Sequence, residues 1–260
     1  MKRFLFTMSF LICFLQFLSA GELPASRNYF ELRVYHFVSN EQEIILDDFF
    51  QHALIPALHR NNRKLIGVFK PLANDTAADK KIYVLIPHQS LKDFTGLGKK
   101  LQSDTGYLLK GAGYINAPYD KPAYSRMESI LLYAFEGMQG IAKPQLSGSR
   151  MENVYELRSY EGHTEKIFQN KVDMFNKGDE VGLFKKLNFN AVFYSEVIAG
   201  SKMPNLMYMT SFNNMKERDE HWKAFGSHPD WIKLKSDPAY QNNVSKNEIT
   251  FLRAAAYSDL

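Results

Sequence analysis

One short phrase, used twice, constrains this chain more than its composition does. Phe30-Glu31-Leu32-Arg33-Val34-Tyr35 returns 125 positions later as Tyr155-Glu156-Leu157-Arg158-Ser159-Tyr160. The same offset carries Tyr83, within Ile82-Tyr83-Val84-Leu85, onto Tyr208, within Met207-Tyr208-Met209-Thr210. Later in each half, Pro122-Ala123-Tyr124 recurs as Pro238-Ala239-Tyr240. Matches that keep one order along a chain mark an internal repeat. A duplicated unit of about 120 residues, near the commonest domain size, accounts for them. The units are 28–136 and 153–260, joined by a linker, 137–152, that holds Pro144 and several glycines.

The patterning predicts strands near 29–37, 65–71, 81–87 and 127–135 in the first unit, with a helix near 41–60 and another from about 90. Leu46, Phe49, Phe50, Ala53, Leu54, Ala57 and Leu58 recur at three- and four-residue intervals, which places them on one helical face. Pro56 should kink that helix. The second unit repeats the order, with strands near 153–160, 189–198, 205–212 and 247–253. The fold class is therefore α+β, two tandem ferredoxin-like repeats of order β-α-β-β-α-β. Each sheet covers one face with its own helices, so the other must be covered by the copy.

Side chains alternate along a strand. Phe30, Leu32 and Val34 are expected against the helices, and Glu31, Arg33 and Tyr35 toward the partner sheet, where Glu156, Arg158 and Tyr160 join them. With Tyr83 and Tyr208 these would line a polar lumen. Such charges can merely pair at a sheet interface. They can also form a small-molecule cavity in which arginines hold a carboxylate and tyrosines stack on or hydrogen-bond a ligand.

Lys2 and Arg3 precede an uncharged stretch, Phe4 to Gly21, that ends in small residues. This is the layout of a secretory signal peptide, 1–20, with cleavage after Ala20. The apolar run, Phe4 to Leu18, is shorter than the roughly 20 residues of a spanning helix, so no membrane association is expected after cleavage. The expected location is periplasmic or secreted. The sole cysteine, Cys13, would leave with the leader, so the mature chain has no thiol for disulfide, nucleophile or metal. Loss of Lys2 and Arg3 also lowers the formal net charge from +4 to +2. That balance, with charges interspersed, excludes a basic stripe for nucleic acid.

No nucleotide-binding or hydrolase motif is present. Seven histidines occur, none in a metal-binding pattern. His52 and His59 stand roughly 10 Å apart along a helix, too far to share a metal. No cofactor is predicted from the residues; haem on a histidine stays open.

Val154 to Tyr160, Phe193-Tyr194, the helix Met215 to Phe225 and His228-Pro229-Asp230-Trp231 together resemble the NIPSNAP family. Its members show a Tyr-Glu-Leu-Arg opening strand and a series of Arg, Trp, Phe, Pro and Trp on later helices. The first unit is similar but diverged, with Leu97 and Leu101 where the second has Trp222 and Phe225. The resemblance implies a dimeric α/β-barrel fold, closed here within one chain as an intramolecular pseudo-dimer, with a further homodimer open. It implies little about activity. Related barrels include cofactor-independent monooxygenases and haem-dependent enzymes, and a protein-interaction module is a third class. Trp222, Phe225 and Trp231 have the spacing of core residues.

Overall fold

Each half contributes four strands in the predicted order. The first half gives β1 (Tyr29–Phe37), β2 (Gly67–Pro71), β3 (Lys80–His88) and β4 (Arg126–Ala134). The second gives β5 (Val154–Glu161), β6 (Phe193–Ala199), β7 (Asn205–Phe212) and β8 (Lys246–Ala254). This computed structural model describes residues 27–260, so the expected leader lies outside the described residues. All eight strands close into one antiparallel barrel in the order β1-β3-β2-β8-β5-β7-β6-β4. The halves are thus joined edge to edge, through β2–β8 and β4–β6. Closure leaves no open sheet edge.

Helices α1 (Asn40–Phe49), α2 (Ile55–Arg60), α3 (Leu91–Gln102), α4 (Thr105–Lys110) and α5 (Ala112–Ile115) belong to the first half. The second carries α6 (Glu165–Asn176), α7 (Glu180–Lys186), α8 (Met215–Ser227) and α9 (Pro229–Ser236). Between α1 and α2 the chain makes a π-helical turn, Phe50–Leu54, and the Ile55 N–H reaches back to the Phe50 carbonyl. A proline ring strikes the carbonyl four residues before it, and a widened turn relieves that clash. Pro56 thus follows a π-turn that divides the expected single helix into two segments. Helix α8 starts on a reciprocal cap: the Asn214 side chain accepts from the Glu217 N–H, and Glu217 accepts from the Asn213 N–H.

Three apolar clusters divide the barrel into inside and outside. The interior cluster draws on both halves, with Phe30, Leu32, Leu85, Leu132, Leu157, Met209 and Leu252. Two outer clusters lie beneath the helices. One holds Tyr35, Ile82, Val84 and Ile86 with the α1–α2 face, the other Tyr194, Leu206, Tyr208 and Phe212 with Phe175, Phe184 and Phe225. This inverts the expected faces: Phe30, Leu32 and Val34 point into the barrel, and Glu31, Arg33 and Tyr35 point to the helices. The reason is space. An eight-stranded barrel is just wide enough for its side chains to fill, leaving no water to solvate charge.

One end of the barrel is plugged. Leu260, Leu65, Ile141 and Leu146 pack against the interior cluster. Arg150 donates to the carbonyls of Ala255, Ser258 and Leu260, and the Ser258 hydroxyl accepts from the Val68 N–H, which fixes the C-terminal tail along β2. Gly67 sits where the plug is tightest, for a Cβ there would run into the Phe69 ring and approach Leu260 Cδ1 at 3.1 Å. Gly67→Ala is expected to destabilise the fold by about 1–3 kcal/mol through overpacking. Urea unfolding measures this, and an unchanged midpoint would mean that the plug is loose.

Candidate functional site

The two copies of the Glu-x-Arg phrase occupy equivalent places under the helices but are completed differently. In the second half, Glu156 is fully buried and both its oxygens are taken. Arg158 Nε donates at 2.6 Å, Arg218 Nε and Nη2 at 2.8 and 3.0 Å, and Trp222 Nε1 at 2.8 Å. Burial alone would raise the Glu156 carboxyl, but Arg218, Arg158 and Trp222 outweigh it and hold the group below its ordinary value. The Arg158 guanidinium lies 3.7 Å over the Trp222 ring and donates at 2.9 Å to the Tyr160 hydroxyl, which meets Tyr208 OH at 2.9 Å. Trp222 and Trp231 pack with Phe225 against the outer cluster, as their spacing predicts. This network is saturated by its own side chains.

In the first half, Glu31 receives Arg33 in a two-pronged pair at 2.8 and 2.9 Å and the Ser129 hydroxyl at 2.7 Å. Burial pushes Glu31 up, while the His88 ring 3.7 Å away, the Arg33 pair and the Ser129 hydroxyl together bring it down to about 2. The helical arginine is missing. Counted from the helix caps Ser90 and Asn214, Phe94 stands in the place of Arg218. By strand register His88, opposite Tyr29, stands in the place of Phe212, opposite Val154. The phenyl ring and the nitrogen-bearing side chain have changed elements.

The third place is the open end of the barrel, a cavity of about 370 Å³ walled by both halves. Its residues come in equivalent pairs: Val34 with Ser159, Tyr83 with Met207, Glu128 with Glu248, and Ile130 with Thr250. Val34, Ile130, Leu157 and Met207 give it an apolar floor. The carboxylates at the rim are engaged, Glu128 with the His36 ring at 2.8 Å and Glu248 with the ammonium groups of Lys202 at 2.5 Å and Lys246 at 3.0 Å. Burial, with Glu128 and Glu248 nearby, pushes the Tyr83 hydroxyl up to about 12, and the neighbouring Thr250 hydroxyl acts against that rise.

Of the eight residues expected in a lumen, only Tyr83 reaches it. Glu31, Arg33, Tyr35, Glu156, Arg158, Tyr160 and Tyr208 lie on the helix side. The equivalent of Tyr83 is Met207, one residue from the expected Tyr208: Val34 faces Tyr83, and its equivalent Ser159 faces Met207. A slip of one residue exchanges the faces of a strand. The caps Ser90 and Asn214 are one position closer than the two phrases, a signal for that slip present in the sequence. Arg218, four residues before Trp222 on α8, is the counter-charge to Glu156 that the patterning did not single out.

The residues that carry the family resemblance, the strand phrase and the α8 side chains Arg218, Trp222 and Phe225, meet in the second half. Residues 155–259 match the NIPSNAP family. Across 88% of this chain the fold is similar to that of a proposed monooxygenase from Lactobacillus acidophilus, at 10% identity, 94% of that chain and a TM-score of 0.59. A second proposed monooxygenase, from Fusobacterium nucleatum, is similar over 88% of this chain and 93% of that one, at 6% identity and a TM-score of 0.56. A NIPSNAP family protein from Agrobacterium tumefaciens is 16% identical, with 42% of this chain and 99% of that one covered at a TM-score of 0.37. No curated protein matches the chain. The two long matches place the whole described chain in the dimeric α/β-barrel fold, with the NIPSNAP domain as its second half.

The depressed Glu31 carboxyl has a pH consequence. A carboxyl whose folded pKa lies below its unfolded value stabilises the fold above the unfolded value, and loses that contribution as pH falls through the folded one. Here the window runs from 4.5 down to about 2. Between about pH 6 and pH 2 the native protein is expected to lose about 3 kcal/mol more stability than Glu31→Gln. Equal losses in acid urea titrations would contradict the buried pairing.

Proposed function

We propose that this protein binds a small molecule at the open end of its barrel. The observation that carries the reading is the cavity of about 370 Å³, an apolar floor under a charged rim, built from equivalent positions of both halves. Its size falls in the range of roughly 300–1,000 Å³ typical of small-ligand sites. Its lining favours a ligand with a compact apolar body against Val34, Ile130, Leu157 and Met207, and one hydrogen-bonding group beside Tyr83 and Thr250. We read the first half as a diverged NIPSNAP copy, since it keeps the Glu-x-Arg strand phrase but not the helical arginine. The leader-like segment at 1–20 supports action after export.

A thermal-shift screen of the purified protein against small alcohols, phenols, amines and carboxylic acids tests this. A ligand at 100 times its Kd adds about 2.7 kcal/mol, which raises Tm by about 5–10 °C in a chain of this size. Thr250→Trp, which fills the cavity, is expected to abolish the shift without unfolding the protein. Absence of any shift, or a shift that survives Thr250→Trp, would overturn the reading. A Soret band on haem addition would turn it toward the haem-dependent enzymes of this barrel class.

A further inference from the structure

We infer that the first half carries a second, separate binding site, for a small organic acid, in the cavity beside His88. That cavity measures about 360 Å³ and opens between the segment Asn61–Leu65, the end of β3 and the start of α3. His88 is 1% exposed, and neither of its ring nitrogens has a hydrogen-bond partner. A neutral imidazole needs one donor and one acceptor, so leaving both nitrogens unmatched in the interior is costly. The carboxylate oxygens beside them are beyond hydrogen-bond reach, Glu31 Oε2 at 3.7 Å and Asp93 Oδ2 at 3.8 Å. Both carboxylates are also engaged: Glu31 holds Arg33 and Ser129, and Asp93 holds Arg63 at 2.8 Å and Lys100 at 3.2 Å.

A second orphan points the same way. Arg63 is 4% exposed, and its Nε–H has no acceptor. Lys64 beside it takes part in no ion pair among the described residues. The segment that delivers these two cations holds Asn62 and Leu65 at φ of 59° and 61°, a left-handed conformation that side chains such as leucine rarely adopt. Around the cavity Arg63, Lys64 and Lys100 face one carboxylate, Asp93. The unmet groups are therefore mainly donors in a positive setting, and a carboxylate supplies the acceptors they lack. Leu65, Pro87 and Ile141 form the remaining wall. They suit a ligand with a carbon skeleton better than a bare inorganic anion. In the second half Phe212 and Phe189 stand in the places of His88 and Arg63 and their rings pack edge to face, so the unmatched imidazole and guanidinium belong to the first half alone.

The test is nitrogen-15 NMR of the histidine rings in the full chain, titrated with malate and, separately, with inorganic phosphate. His88→Phe assigns the His88 signals by their loss. Malate is expected to move those signals and saturate below about 1 mM, and Lys64→Ala to weaken it at least about tenfold. His88→Phe should abolish binding yet raise the Tm of the free protein, because a phenyl ring restores the packing of Phe212. Lys64 is exposed, so its variant tests the site even if His88→Phe misfolds. Thr250→Trp should leave malate binding unchanged, which separates this site from the barrel mouth. His88 signals unmoved at about 10 mM malate, malate binding indifferent to Lys64→Ala, or phosphate binding as tightly as malate would each overturn the proposal.

Discussion

Closing eight strands into one barrel decides which side chains this protein can hide and where. The interior admits side chains but no bulk water, so it selects the apolar member of each alternating pair: Phe30 over Glu31, Leu32 over Arg33, Leu157 over Arg158. The Glu-x-Arg phrase is thereby forced under the helices, where burial demands counter-charges. In the second half helix α8 supplies them through Arg218 and Trp222. The helix cap at Asn214 and Glu217 matters for this reason, since it sets the turn on which Arg218 faces Glu156.

The two halves solve the same electrostatic problem unequally. The second encloses a finished network with aromatic rings on every side, and this half is the one that matches the NIPSNAP family. The first replaces the helical arginine with Phe94 and the strand aromatic with His88, which leaves an imidazole and part of a guanidinium unmatched beside a cavity. A half relieved of one structural contact can take on a ligand. The open end of the barrel differs again, since it lies between equivalent strands and needs both halves to exist.

The strands are legible from the sequence to within a few residues, because β1, β3, β5 and β7 are runs rich in apolar and aromatic residues bounded by clear turns. The prediction began β6 at 189, yet the strand starts at Phe193. Asn188 and Asn190 take positive φ there, which interrupts pairing. Facing was not legible. Both faces of β3 are apolar, Ile82, Val84 and Ile86 on one and Tyr83 and Leu85 on the other, so alternation alone does not say which looks inward. The choice is made by barrel closure, a property of the whole sheet. The missing counter-charge in the first half shows only when α3 and α8 are aligned from their caps rather than from the strand phrases.

The Glu-x-Arg phrase lies under the helices, and a double-mutant cycle between Glu156 and Arg218 tests this most directly. Glu156→Gln, Arg218→Gln and the double variant are compared by urea unfolding. Contact across 2.8 Å in a buried setting predicts a coupling energy of about 2 kcal/mol or more. Additive effects, with coupling near zero, would place Glu156 on the lumen side and contradict the arrangement of the barrel.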